Sequence, residues 1–292
     1  MNHTAVIGAG TMGVQIALLL ALHEHDVTLI ERDESTRRSA LERADAGLAR
    51  HASRGRISHD AAEAARARIE VHADLDAVAG AGLVIEAITE VRDLKRDLLA
   101  GLDRLLEPDA LLASNSSSFV PSSLATGIVH KERFLNIHFF NPVLTMRAVE
   151  IIGGPDTAVA AVTRATALVE GLGKVPVVLK KEIPGFIANR ILNAVRDEAL
   201  RLCEGGYAGI ETIDQACRLA LGYPMGPFEL MDLTGIDIGY ATKKARFAET
   251  GDPADAPSRT VTRLVQQGTL GRKTRRGFYH YDENLRRGEP AI

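Results

Sequence analysis

Thr4-Ala5-Val6-Ile7-Gly8-Ala9-Gly10-Thr11-Met12-Gly13, running on into the apolar stretch Val14 to Leu22, decides the fold. Thr4–Ile7 has the composition of a short buried strand, and Val14–Leu22 that of a buried helix. Between them the glycines are spaced G-x-G-x-x-G. Gly8 permits a tight turn, Gly10 admits a pyrophosphate to the backbone, and Gly13 lets the helix pack closely on the strand. Thr11 and Met12 complete the turn where the helix begins, and its free N–H groups and positive dipole end favour phosphate there. The hexapeptide alone also suits a purely structural turn, so its context matters. A second strand, Asp26–Ile30, ends in Glu31, about 20 residues beyond the glycines. A carboxylate at that place accepts hydrogen bonds from both ribose hydroxyls of a dinucleotide and repels a 2′-phosphate, so NAD is the expected cofactor. Arg32 and Arg37 stand nearby and work against that discrimination.

Outward from this unit, apolar strands alternate with helical segments. Helices are expected over 34–53 and 58–68, charged and Ala-rich, projecting as a hairpin insertion. Strands follow at 69–71, at 82–88 with Glu86 at its end, and at 110–113. Between the last two, 91–106 carries Leu94, Leu98, Leu102 and Leu105 at helical spacing. Further strands fall at 133–139, 146–152 and 174–179. Such alternation predicts an α/β N-terminal domain over 1–183, Rossmann-like and doubly wound around a mostly parallel sheet. Ligands then collect at the C-terminal strand ends, where Gly13, Glu31, Glu86, Asn115 and His138 all fall. Beyond the linker at 180–184 only helices are expected, so 184–292 is predicted to be a second, all-α domain.

Composition narrows the class. With 292 residues, net charge −3 and pI about 6.3, the chain has the length for about two domains. It lacks the basic surface that nucleic acid or an anionic membrane requires. The longest apolar run, Ile16–Leu22, is far short of a membrane span. No signal peptide is read at the start of the chain, and Cys203 and Cys217 imply neither a disulfide framework nor a zinc site, so a cytoplasmic protein is expected.

The chemistry centres on His138-Phe139-Phe140-Asn141-Pro142 with Glu150 beyond. Imidazole is the side chain whose unperturbed pKa suits proton shuttling near neutrality, and a carboxylate that fixes its tautomer improves it. Pairing the strands at 133–139 and 146–152 brings Glu150 back beside His138. A strand-end histidine is more often an ordinary core residue; the nucleotide signature in the same domain tips the balance.

Together these residues resemble the short-form L-3-hydroxyacyl-CoA dehydrogenases of the 3-hydroxybutyryl-CoA dehydrogenase type, over nearly the whole chain. The anchors are Gly8–Gly13, Ser114–Ser118, His138–Val143 with Glu150, Pro184–Arg190, Gly222–Asp232, and Gly271–Thr274 with Gly277–Tyr279. The resemblance implies NAD-dependent oxidation of the 3-hydroxyl of an acyl thioester, and the reverse reduction. It makes His138 the general base, Glu150 its partner, and Ser117 and Asn189 donors to the reacting oxygen or thioester carbonyl. It assigns Glu90 and Lys95 to the cofactor side, although a helix-surface ion pair explains Lys95 equally well, and it turns Asn115 toward the nicotinamide ribose. Arg54 and Arg56 are implied contacts for the CoA phosphates, against a solvated helix face at even odds. A homodimer through the C-terminal domain is implied as well; the apolar stripes at 185–203 and 210–221 serve a dimer or an internal core alike.

Some residues depart from the family pattern. Ser116 stands where threonine is usual, Phe119-Val120-Pro121 is bulky, and Lys243-Lys244-Ala245-Arg246 with Arg275 and Arg276 is unusually basic. These leave the chemistry intact and open the carrier: an acyl carrier protein is acidic and would suit the extra cations. A free hydroxy acid or sugar acid stays open too. The related 3-hydroxyacid dehydrogenases rely on a lysine that is missing near Asn189. A non-catalytic, crystallin-like NAD binder predicts damage at His138, Glu150 or Asn189, and these are intact.

Overall fold

The computed structural model describes residues 3–292, which form two compact units, one ending at Ile187 and the other starting at Ala188. In the first, β1 (His3–Ile7), β2 (Asp26–Ile30), β3 (Ile69–His72), β4 (Leu83–Glu86), β5 (Leu111–Ser114), β6 (Phe134–Phe139), β7 (Ala148–Gly153) and β8 (Val175–Leu179) make one sheet. Their order is β3-β2-β1-β4-β5-β6-β7-β8. Strands β1 to β6 run parallel, β7 is antiparallel to β6, and β8 is parallel to β7. The order reverses between β1 and β4, which opens the crevice where such sheets hold nucleotides.

Helices α1 (Thr11–Leu22), α2 (Glu34–Ser53), α3 (His59–Ala67), α4 (Arg92–Leu105), α5 (Pro121–Leu124) and α6 (Val159–Gly171) cover the sheet. Successive strand residues face opposite ways. Val6, Ile85, Ala113 and Ile137 therefore join one core with α1, α2, α3 and α6, while Ala5, Ile7, Val84 and Leu112 join another with α4 and α5. Burial on both faces explains the unbroken apolar runs of the strands. The glycine turn is as tight as its spacing implies. Gly8 has φ +99°, and a Cβ on Gly13 would overlap the Gly8 carbonyl oxygen.

Two expectations change. The α2–α3 hairpin does not simply project: Ala40, Ala44, Leu48 and Ala65 form an apolar stripe buried in the same core as α1. The first unit also runs past residue 183 to Ile187, because Phe186 is fully buried beside His138 and the Ile187 N–H donates to Glu150.

The second unit contains α7 (Ala188–Glu204), α8 (Ile210–Leu221), α9 (Pro227–Thr234), α10 (Ile236–Thr250) and α11 (Arg259–Gln266). It is predominantly rather than entirely helical, since β9 (Tyr279–Tyr281) and β10 (Arg287–Pro290) pair as an antiparallel hairpin. Three residues are too few for a periodic signal, yet Tyr279 and Tyr281 turn inward and His280 outward. Two buried carboxylates tie this hairpin to the helices. Asp214 accepts from the N–H groups of Phe228 (2.9 Å) and Glu229 (3.1 Å) and the Tyr279 hydroxyl (2.9 Å). Asp232 accepts from the N–H groups of Phe278 (2.9 Å) and Tyr279 (3.0 Å) and the Tyr281 hydroxyl (3.0 Å). The anchors at 222–232 and 271–279 thus build the unit's core.

Candidate active site

The antiparallel register of β6 and β7 sets His138 directly opposite Glu150. His138 Nδ1 lies 2.9 Å from Glu150 Oε2, and both side chains are buried. The carboxylate accepts, so the ring proton belongs on Nδ1 and Nε2 is left to exchange one. Glu150 Oε1 accepts the Ile187 N–H at 3.0 Å, which fixes the carboxylate as well. The imidazole is walled by Phe140, with ring centroids 4.6 Å apart, and by Phe186, at 5.4 Å.

A second network organises the serine turn after β5. Glu86, fully buried, accepts Lys95 Nζ (2.6 Å) and the Ile88 N–H (2.7 Å) on one oxygen and the Ser114 hydroxyl (2.6 Å) on the other. Lys95 Nζ also meets the Ile88 carbonyl and Glu90 Oε2, each at 3.2 Å. All three ammonium donors are thereby committed. Lys95 is not a surface ion pair; it is 1% exposed and neutralises two glutamates. Glu90 Oε1 accepts the Ser116 hydroxyl (2.6 Å) and the N–H groups of Ser117 and Ser118 (both 3.0 Å). Although burial opposes it, the Lys95 ammonium and these hydrogen bonds hold the Glu90 carboxyl below its usual range. Glu90 therefore shapes the turn that carries Ser117. Asn115 Oδ1 accepts the Phe139 N–H at 2.9 Å and pins the end of β6 to β5.

At the nucleotide end, Glu31 accepts the Ala9 N–H on Oε2 and the Asp33 N–H on Oε1, both at 3.1 Å. This places its carboxylate beside the glycine turn. Arg37 does not face it as a rival: its Nη1 donates to the carbonyls of Glu31 (2.7 Å) and Arg32 (2.6 Å). Space for a pyrophosphate is present, since a Cβ on Gly10 would meet nothing within 4 Å. Arg54 and Arg56 are exposed at the end of α2. Burial first, and then the charges of Arg56, Arg54, Arg50 and Lys174, push the His51 imidazole down, so this corner is electropositive. Asn189 lies in the first turn of α7, in the second unit.

Three participants escaped the sequence reading, and a fourth, Glu86, was placed on the ligand edge without its role. Gln15 on α1 donates to Asn141 (3.0 Å) and accepts the Val143 N–H (2.8 Å), linking the nucleotide helix to the loop after His138. Arg43 on α2 reaches the Ala9 carbonyl at 2.6 Å. Glu86 anchors Lys95, and Phe186 covers His138. Glu86 had a signal, a carboxylate ending an apolar strand; the others depend on residues far away in the chain. Among the described residues no cluster of His, Cys, Asp or Glu could hold a metal ion, and no helix is long and apolar enough to cross a membrane.

Residues 3–183 match the model of the 3-hydroxyacyl-CoA dehydrogenase NAD binding domain, and 185–281 match that of the 3-hydroxyacyl-CoA dehydrogenase C-terminal domain. The chain belongs to the 3-hydroxyacyl-CoA dehydrogenase family. It is an oxidoreductase, and NAD is its cofactor. Among its relatives is a 3-hydroxybutyryl-CoA dehydrogenase of Bradyrhizobium diazoefficiens, 37% identical over 96% of each chain. The human mitochondrial hydroxyacyl-coenzyme A dehydrogenase is 35% identical over 96% of this chain and 91% of its own. The crystal structure of (S)-3-hydroxybutyryl-CoA dehydrogenase PaaH1 from Ralstonia eutropha superposes with TM-score 0.89 at 33% identity, covering 97% of this chain and 100% of that one. The glycine turn, the open space above Gly10 and the Glu31 carboxylate fit the dinucleotide that the family binds.

Proposed function

We propose that this 3-hydroxyacyl-CoA dehydrogenase oxidises the 3-hydroxyl of an L-3-hydroxyacyl-CoA to the 3-oxoacyl-CoA, and catalyses the reverse reduction. The observation that carries the reading is the buried His138–Glu150 pair at 2.9 Å. His138 Nε2 takes the hydroxyl proton, and Glu150 steadies the imidazolium that results, which would otherwise be costly among Phe140 and Phe186. The glycine turn and Glu31 would hold NAD, whose nicotinamide would supply the hydride acceptor for C3. Ser117 and Asn189 donate to the oxygen where charge changes, and the turn held by Glu90 presents Ser117. Glu31 binds the adenosine ribose and Asn115 braces the strand that carries His138. Arg54 and Arg56 hold the CoA phosphates.

CoA is favoured over an acyl carrier protein because much of the basic excess is spent internally. Lys243 pairs with Asp197 at 2.7 Å and Arg246 with Asp255 at 2.8 Å. We propose further that the enzyme works in the cytoplasm as a homodimer through its helical unit, where Leu219, Leu221 and Ile191 are exposed apolar side chains. Incubating the protein with NAD and a panel of acyl-CoA, acyl-carrier and free 3-hydroxy acids, and following NADH absorbance, tests the reading. Turnover of the CoA thioesters is expected. Turnover confined to carrier-bound or free acids would overturn the carrier, and no turnover of any 3-hydroxy compound would overturn the reaction.

A further inference from the structure

Helix α1 runs from the glycine turn into the core of the first unit, and from Met12 to Leu22 its one polar side chain is Gln15. A polar group on so apolar a helix needs partners where packing puts it, and both ends of this amide are spent on one loop. Gln15 Oε1 accepts the Val143 N–H at 2.8 Å, and Gln15 Nε2 donates to Asn141 Oδ1 at 3.0 Å. A backbone N–H can only donate, so the Gln15 amide has one orientation, and the Asn141 amide follows from it. On the other side of the loop, Lys174 Nζ donates to the carbonyls of Val143 (2.7 Å) and Met146 (2.9 Å). Val143 is thus gripped through its N–H and its carbonyl, and its side chain is buried. The loop leaves β6 just after His138, where Asn115 already holds the Phe139 N–H at 2.9 Å. Lys174 and Asn115 adjoin strands of the sheet. Gln15 instead stands on the helix whose first turn faces the phosphates. It shares a face with Thr11 at the start of α1, and helical side chains lean toward that end.

We propose that Gln15 is a positioning residue for the dehydrogenase reaction: through Asn141 and Val143 it ties the loop that follows His138 to the helix that starts at the cofactor's phosphates, and so fixes the base relative to the cofactor. It rests on the reading of His138 as the base and of the glycine turn as the dinucleotide site. Without Gln15 the loop keeps Lys174 and the end of β6 keeps Asn115, so the fold survives, but the base is then referenced to the sheet alone. A misplacement of about 1 Å at the reacting atoms costs up to about 10²-fold in rate. The Glu150 contact at His138 Nδ1 is left in place, so the basicity of the imidazole is unchanged and only its position is lost.

The test compares the wild type with Gln15→Met and Gln15→Glu, using NAD and 3-hydroxybutyryl-CoA. Gln15→Met, close in length but without either hydrogen bond, should lower kcat roughly 10–10²-fold. The pKa in its kcat profile should stay where it is, and its melting temperature should shift by no more than about 4 °C. Substrate deuterated at C3 should then show the full isotope effect of a rate-limiting hydride transfer. Gln15→Glu keeps one oxygen for the Val143 N–H and another for the Asn141 amide turned about, so it should recover most of kcat. With NAD alone, hydrogen exchange of the segment 139–146 should slow in the wild type and not in Gln15→Met. An unchanged kcat in Gln15→Met, a fall without an isotope effect, or a Gln15→Glu enzyme as slow as Gln15→Met overturns the proposal. If the wild type oxidises no 3-hydroxyacyl-CoA, the reaction itself has been misread, and the exchange experiment decides. Protection that depends on Gln15 upholds the coupling, and protection equal in both proteins, or absent from both, overturns it.

Discussion

A neutral imidazole acts as a base only if its other nitrogen is held, and Glu150 does this for His138 from across one strand pair. His138→Gln should therefore leave NAD affinity nearly intact and lower kcat by about 10²–10⁴-fold. Glu150→Gln should lose much of the same activity, and the double variant should be little worse than the worse single one. Steady-state kinetics of the three proteins checks this; additive losses would show that the residues do not act as one unit. At the other end of the sheet, Glu31 faces no committed cation, because Arg37 is spent on two carbonyls. NAD should be preferred over NADP by about 10²-fold in kcat/KM, since like charges brought together cost several kcal/mol, and Glu31→Ala should erase most of that preference. Equal use of both cofactors by the wild type would point to Arg32.

Among elements, the segment from β4 into α4 depends on one lysine. Lys95 on α4 holds Glu86 at the end of β4 and Glu90 in the following loop, and Glu90 in turn holds the serine turn after β5. Removing one partner from a buried ion pair strands the other charge, so Lys95→Met should destabilise the protein by about 3–5 kcal/mol in urea unfolding. Its activity should fall together with the order of the Ser117 turn. Unchanged stability with a raised KM for NAD alone would instead place Lys95 on the cofactor.

Across the whole molecule the two units carry opposite acid responses. In the first, burial opposes ionisation of Asp103, but the Arg133 guanidinium and the N–H groups of Val129 and His130 hold its carboxyl below the usual range, and Glu90 is held low as well. Depressed carboxyl groups contribute stability above their unfolded pKa, about 4, and lose it as pH falls through the folded value. In the second unit burial pushes Asp214 and Asp232 up despite three hydrogen bonds each. Raised groups have the reverse sign: their contribution is full at low pH and is lost as pH rises. Glu204, half-exposed and held low, opposes this weakly. The sheet unit should thus give way first on acidification below about pH 4. All five tyrosines, Tyr207, Tyr223, Tyr240, Tyr279 and Tyr281, lie in the helical unit and the chain has no tryptophan. Circular dichroism, which sees both units, should therefore begin to change at higher pH than tyrosine fluorescence; coincident or reversed transitions would contradict the assignment.

The sequence by itself determined whatever depends on local order. The glycine turn between β1 and α1, the alternation of strands and helices, and the facing of His138 and Glu150 are legible because strand periodicity and a short connection leave little choice of register. Only the tertiary structure decided what depends on segments far apart in the chain. Lys95 looks like a surface helix residue until α4 docks on β4 and buries its ammonium between Glu86 and Glu90. Phe186 and Ile187 read as the start of the helical domain until they close over His138 and Glu150. The β9–β10 hairpin is too short to announce itself, and it exists because Asp214 and Asp232 offer buried acceptors to Tyr279 and Tyr281. A buried polar group must find its partner wherever packing brings one, and no local pattern records where that is.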